Sequence, residues 1–188
     1  VENEIQKIEH ISEEIIYSET YHTIKNVMKA VREGANVDVE AVKETVSEIV
    51  HSIMSNDNVF MNLTGIRDID NYTYLHSVDV CIYSIITGKS MGLPLEVLND
   101  LAMGAILHDI GKCKIPLNVL NKPAKLTDSE YELIKKHVDY GYDILSRTPG
   151  INEDVAKIAL YHHEHWNGEG YPRGLKGEEI DYLSRIVA

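Results

Sequence analysis

Large apolar aromatics are nearly absent, with one Phe and one Trp among 188 residues. No stretch alternates apolar and polar residues for long, so no half-buried sheet is expected. Cysteine is equally scarce. Cys81 and Cys113 are the only two, too few for a disulfide framework, and they read as free thiols in a reducing cytoplasm. No apolar run approaches the roughly 18 residues of a membrane-spanning helix. The first residues, Val1-Glu2-Asn3-Glu4, lack the basic region that opens a secretory leader. A cytoplasmic chain without membrane insertion is therefore expected. Basic residues are short as well: 18 Lys and Arg face 30 Asp and Glu, a net charge of −12. That balance excludes a binder of nucleic acid polymers or anionic membranes, which needs a basic face. It leaves room for a small anion, because bound metal ions can reverse the local field.

What is present is the composition of a globular helical protein, 44% hydrophobic and 26% charged. The length suffices to bury a core without a disulfide or a structural metal. Apolar positions three and four apart predict helices over 4–32 and 38–55, the second with Val42, Val46, Ile49, Val50 and Ile53 on one face. Gly34 to Asn36 separates them. Further helices are expected over 70–91, stopped by Gly92 and Pro94, and over 95–109. Pro116 and Pro123 predict a loop over 115–125. Thr127 and Glu130 have capping-box spacing and open a helix to Arg147. A last helix runs from Asn152 to His165, and a glycine-rich turn from Asn167 to Pro172 follows. The fold class is all-α: a helical bundle (61–188) preceded by an N-terminal helical lead-in subdomain (1–60).

Histidine is the unusual count: nine in an acidic chain, most of them after residue 75. His76 lies within the third helix. His108 and Asp109 close the strongly apolar run Leu101–Leu107, His137 lies on the capped helix, and His162-His163 come near the end of the last one. Each alone is weak, since a lone helical histidine is more often a surface or core-edge residue. A His and an Asp at the end of a buried helix need partners, because unpaired burial is costly, and a metal serves both. Together these residues offer several imidazoles and a carboxylate from four helices, a donor set suited to Fe, Mn, Ni or Zn. One carboxylate can bridge two ions, and paired ions are the common device for phosphoester cleavage. Lys112 is either a cation at a helix C-terminus or a point charge for a phosphate. Tyr171 is either a packed turn residue or a platform for a nucleobase. His10, His22 and His51 have no partner pattern and read as solvated or core-edge, while His165, close to the His162-His163 pair, reads either way.

The segments LHDIGKCKIP (107–116) and HHEHWNGEGYPRGLKGEEI (162–180), with His76 and His137 at their spacings, resemble the HD-GYP family from Asn71 onward. The resemblance implies an all-helical HD fold with a dinuclear or trinuclear centre of iron or manganese. It implies hydrolysis of the bacterial second messenger cyclic di-GMP to pGpG, in some members on to GMP, by a metal-held hydroxide. His76, His108 and Asp109 are then implied as ligands of a first ion. Asp109 bridges to a second, which His137, His162 and His163 complete. Asp109 and Lys112 carry the catalysis, with Lys112 at the phosphate. Gly170, Tyr171, Pro172 and Arg173 form the loop beside the substrate.

Two ions rather than three are expected, because Tyr72 stands where trinuclear members carry a Glu. Asn167 and His165 replace an Asp and an Arg common in the family, which changes the charge of the loop. The family's last metal-binding Asp falls just past Ala188. The implied partners are cyclic di-GMP and a diguanylate cyclase domain, while the faces of the N-terminal helices (4–55) suit either pairing with a second copy of the chain or packing on the domain. Two alternatives stand beside this reading. One is an HD phosphohydrolase of another nucleotide, against which the Gly-Tyr-Pro loop speaks. The other is a catalytically silent module that binds cyclic di-GMP or docks a cyclase, against which the intact ligand set speaks. A di-iron oxygen sensor is a weaker third.

Overall fold

The computed structural model describes residues 2–55 and 72–188, with side chains from residue 14 in the first stretch and from 73 in the second. The side chains of His10 and Tyr72, and the expected boundary between residues 60 and 61, lie outside the described residues. The elements are α1 (Glu2–Arg32), α2 (Val39–Ser55), α3 (Tyr72–Ser90), α4 (Leu95–Leu107), a 3-10 turn (Ile110–Lys114), α5 (Leu117–Leu120), α6 (Asp128–Lys135), α7 (His137–Ser146), α8 (Glu153–Tyr161), a second 3-10 turn (Gly177–Glu179) and α9 (Ser184–Val187). The fold is all-α, with no strand among the described residues. None of the described helices is long and apolar enough to cross a membrane.

Helix α4 is the centre of the bundle. Leu98, Leu101, Ala102, Ala105 and Leu107 are all fully buried, and a helix that is apolar all round belongs inside a core. It packs against α3, α8 and α2. The buried faces of α1 and α2, among them Ile24, Val27, Val42 and Ile49, join one apolar cluster with Val78, Ile82 and Ile85 of α3. Both cysteines are free and buried. Cys81 Sγ donates to the Ala102 carbonyl at 3.4 Å, and Cys113 Sγ to the Met28 carbonyl at 3.0 Å.

Three helices end earlier than their apolar periodicity suggests, each at or one residue before a histidine. The helix expected to reach residue 109 stops at Leu107, with His108 as its C-cap. The one expected over 127–147 breaks at Lys136 into α6 and α7. The last stops at Tyr161, with His162 as its C-cap. A helix C-terminus leaves four carbonyls without backbone donors, and in each case the nearby imidazole takes one. The 115–125 loop contains the single turn α5 after Pro116. The Thr127–Glu130 capping box forms as its spacing predicts.

Candidate metal centre

The three helix ends share one device. His108 Nδ1 lies 2.6 Å from the Ala105 carbonyl oxygen, and His137 Nδ1 lies 2.8 Å from that of Ile134. His162 Nδ1 lies 3.0 Å from the Ala159 oxygen. A carbonyl only accepts, so each Nδ1 carries the proton and donates it. In a neutral ring Nε2 then keeps its lone pair and faces away from the helix end. Burial favours the neutral form of three rings, His162, His163 and His76. It lowers His162 well below the usual imidazole range, with His108 adding to the effect. It brings His163 down to about 4, helped by His137, and lowers His76, next helped by His108.

These lone pairs converge on Asp109, which is 1% exposed. His108 Nε2 is 3.3 Å from its Oδ2. His137 Nε2 is 3.3 Å and His162 Nε2 is 3.9 Å from its Oδ1. Those last two nitrogens face each other at 3.3 Å. Oδ1 is buried and accepts no hydrogen bond among the described residues, because the protons of the nearest rings are on their far sides. Lys112 Nζ donates to Oδ2 at 2.6 Å. Burial by itself would raise the Asp109 carboxyl, but His108 and the Lys112 cation outweigh it and hold the group well below the usual carboxylate range. The close approach behind this geometry depends on Gly111. A Cβ there would meet the His137 carbonyl oxygen at 1.9 Å, so a larger residue would push Asp109 away from His137.

The arrangement fits divalent cations. His137, His162 and His163 can offer three ligand atoms within 4.8 Å of one another, and so can His76, His108 and Asp109. Neutral nitrogens and an ionised, partly unsatisfied carboxylate oxygen form a donor set without internal charge balance. The C-termini of α4, α6 and α8 point their negative dipole ends at the same place.

One loop closes the other side. His163 stacks on Tyr171, ring centroids 4.7 Å apart at 23°, and the Tyr171 amide donates to the His163 carbonyl at 3.0 Å. A Cβ on Gly170 would meet the His165 amide nitrogen at 2.2 Å, so glycine alone permits this crossing. The loop is anchored by Glu164, which is 1% exposed. Its Oε1 accepts from the Arg173 amide at 2.6 Å and its Oε2 from the Leu175 amide at 2.9 Å. Lys135 Nζ stands 5.6 Å from the centre of the Tyr171 ring. The Arg173 guanidinium reaches out to Asp139 Oδ1 at 3.0 Å.

The model of the HD domain family matches residues 74–188. The chain is 33% identical over 183 residues to a cyclic di-GMP phosphodiesterase of Pseudomonas aeruginosa, covering 97% of this chain and 44% of that one. This chain is an HD-GYP member of the HD domain family. The HD-GYP chain is also 34% identical over 157 residues to a 3'3'-cGAMP-specific phosphodiesterase of Vibrio cholerae, covering 83% and 28% of the two. It superposes on the solved structure of a HDG"Y"P protein from Bdellovibrio bacteriovorus with a TM-score of 0.72 and 27% identity, covering 92% and 56% of the two. It thus spans less than half the length of these two curated relatives.

In this HD-GYP domain the residues expected at the site gather as one cluster: His76, His108, Asp109, His137, His162 and His163, with Lys112 at its edge and Tyr171 against it. Arg173 lies on the exposed rim, and Gly170 and Pro172 shape the loop. The Tyr171 ring lies on His163 rather than standing open. His22, His51 and His165 are exposed. Two residues had no role assigned from sequence. Glu164 is visible there only as the third letter of His-His-Glu. Arg32, whose guanidinium donates to the Lys112 and Ile115 carbonyls at 2.9 and 3.1 Å, has no local signal at all.

Proposed function

We propose that the chain is a metal-dependent phosphodiesterase that hydrolyses cyclic di-GMP to pGpG, with GMP as a further product. The observation that carries this reading is the buried Asp109 Oδ1, left without a donor between ring nitrogens that hold lone pairs. The two triads, one of which contains this carboxylate, suit two divalent ions, with iron or manganese as the proposed metals. His76, His108 and Asp109 would hold one, and His137, His162 and His163, with Asp109 bridging, the other. An ion pair, when bound, supplies charge opposite the phosphoryl oxygens and a water of lowered pKa. Lys112, tied to Asp109 and 21% exposed, presents its ammonium to a non-bridging phosphate oxygen, where charge develops during displacement. The 3′ oxygen departs as the water oxygen bonds to phosphorus. Glu164 and Gly170 keep Tyr171 against His163, which fixes the ring of a ligand residue and limits water on that side. Arg173 supplies a cation at the rim.

The partner and location readings rest on the same proposal. A cyclase domain would dock on the Gly170–Arg173 rim, a second copy would pair through the N-terminal helices, and the enzyme would work in the cytoplasm. The test is incubation with cyclic di-GMP and Fe(II) or Mn(II) without oxygen, followed by separation of the nucleotides, with 3'3'-cGAMP run in parallel. Linear pGpG and about two ions per chain are expected. Full metal loading with saturable binding and no product would instead make the chain a cyclic di-GMP receptor. Preferential cleavage of 3'3'-cGAMP would reassign the substrate within the same chemistry.

A further inference from the structure

A recess lies away from the metal centre, where α2 and α4 meet the turn that leads into α8. Its volume is about 320 Å³, at the small end of the roughly 300–1,000 Å³ of small-ligand sites. Asn152 lies at its edge and caps α8, accepting from the Val155 amide at 2.9 Å. The nine residues of α8 separate that cap from His162, a rise of about 14 Å.

Two charges of opposite sign line this recess, Lys43 from α2 and Asp100 from α4. Each faces other company. Lys43 Nζ has Glu40 of its own helix at 3.5 Å, with the two side chains 45% and 82% exposed. A pair so open to solvent contributes little, so the ammonium is available to another carboxylate. It stands over the turn at Gly150, where a Cβ would lie 3.5 Å from it. Burial raises the Asp100 carboxyl, and Asp154 and Glu96, of its own sign, add to the rise, while the Asn152 side chain offsets part of it. Asp154 already pairs with Lys157 at 3.1 Å. A cation beside Asp100 would therefore relieve the like charges around it. The wall also has an apolar part, formed by Val46 and Met103, which are 1% and 6% exposed. Such a wall is complementary to a small molecule with a carboxylate, an ammonium and an apolar group.

We infer that this recess binds a free α-amino acid with an apolar side chain. Its carboxylate meets Lys43, its ammonium meets Asp100, and its side chain lies on Val46 and Met103. The occupant joins α2 to α4 and so stabilises the folded chain. The site stands apart from the phosphodiesterase reading, and its failure would leave that reading untouched.

The test applies thermal melts and calorimetric titration to the metal-loaded chain, with L-leucine, L-methionine and L-phenylalanine as probes. The best of them should raise the melting temperature by about 3 °C at saturation. Two analogues of leucine each lack one charge: 4-methylpentanoate has no ammonium, and 3-methylbutylamine has no carboxylate. Each should bind at least about tenfold more weakly than leucine, because one charge-assisted hydrogen bond is lost. Lys43→Met and Asp100→Asn should each weaken the amino acid about tenfold for the same reason. Lys43 is exposed, so Lys43→Met leaves the fold intact and decides the matter if Asp100→Asn misfolds. Absence of both a melting shift and binding heat with all the probes at about 10 mM, where a ligand of this size saturates a complementary site, would overturn the proposal. So would binding that neither substitution weakens, or analogues that bind as tightly as leucine.

Discussion

Asp109 carries the most demands of any side chain here. It is buried, ionised, hydrogen-bonded to Lys112 on one oxygen and left without a donor on the other. Asp109→Asn keeps its shape and removes its charge. Metal content should fall from two ions to at most one, and turnover of cyclic di-GMP should drop at least about a hundredfold, as elemental analysis and product chromatography would show. The helical circular dichroism should persist, since the amide fills the same space. The neighbouring imidazoles make a separate prediction for the metal-free protein. The folded value of His163 is about 4, below the roughly 6.5 of an unfolded chain. Between these values the unfolded chain binds a proton that the folded chain refuses. Stability is therefore full above about pH 6.5 and falls as the pH drops towards 4. His162 and His76 shift the same way and steepen the loss. Asp109 shifts oppositely, so its contribution persists through this window and fades only below the usual carboxylate pKa. Urea midpoints of the metal-free chain should fall steadily between about pH 7.5 and 5. A flat series would mean that the histidines are not buried as neutral rings.

Among the elements, the loop from Glu164 to Leu175 depends on one carboxylate. Glu164→Ala would leave two amides, those of Arg173 and Leu175, without their acceptor, at a cost of about 2–4 kcal/mol. The metal ligands lie outside this loop, and of them His163 alone stacks on its Tyr171, so both ions should remain bound while KM for the nucleotide rises. Denaturant titration, metal analysis and steady-state kinetics on one preparation separate these effects, and loss of the ions along with the loop would contradict the assignment. The helices themselves were largely legible in the sequence. The apolar face of 38–55 is buried as its spacing predicts, with Val42, Val46, Ile49, Val50 and Ile53 all inside, and the capping box at Thr127 forms. Their ends were less so. Periodicity continues through His108, Lys136 and His162, and only the three-dimensional path shows that an imidazole takes a carbonyl there and stops the helix. The clustered histidines and Asp109 were legible because they recur at motif spacing. The Tyr171 ring was read as a nucleobase platform or a packed turn residue. Its stacking on His163 depends on the crossing at Gly170, which no local pattern specifies.

At the scale of the whole molecule, α1 is bound to the metal-bearing segments by polar contacts as well as by packing. Tyr17 donates to Asp79 Oδ1 at 2.8 Å, one turn beyond His76. Met28 accepts from Cys113 at 3.0 Å, and Arg32 grips the Lys112 and Ile115 carbonyls. The Arg32 contacts span 80 and 83 residues of sequence, which is why no motif contains them. They fix the backbone of Lys112, and the position of an ammonium at a developing charge sets how much it stabilises. Arg32→Ala should therefore lower kcat about tenfold with both ions retained, besides costing about 1–2 kcal/mol of stability, since the Ile115 carbonyl loses its donor and the Lys112 carbonyl keeps only the Ile115 amide. Arg32→Lys should recover part of the stability but little of kcat, because an ammonium cannot reach two carbonyls with the fixed fork of a guanidinium. Metal analysis, thermal melts and steady-state kinetics on the two variants make the comparison. A lowered melting temperature with kcat intact would reduce α1 to packing. A lowered kcat with metals in place would make it part of the apparatus that aims Lys112, and a displacement of α1 would then be felt at the metal centre through the Arg32 contacts.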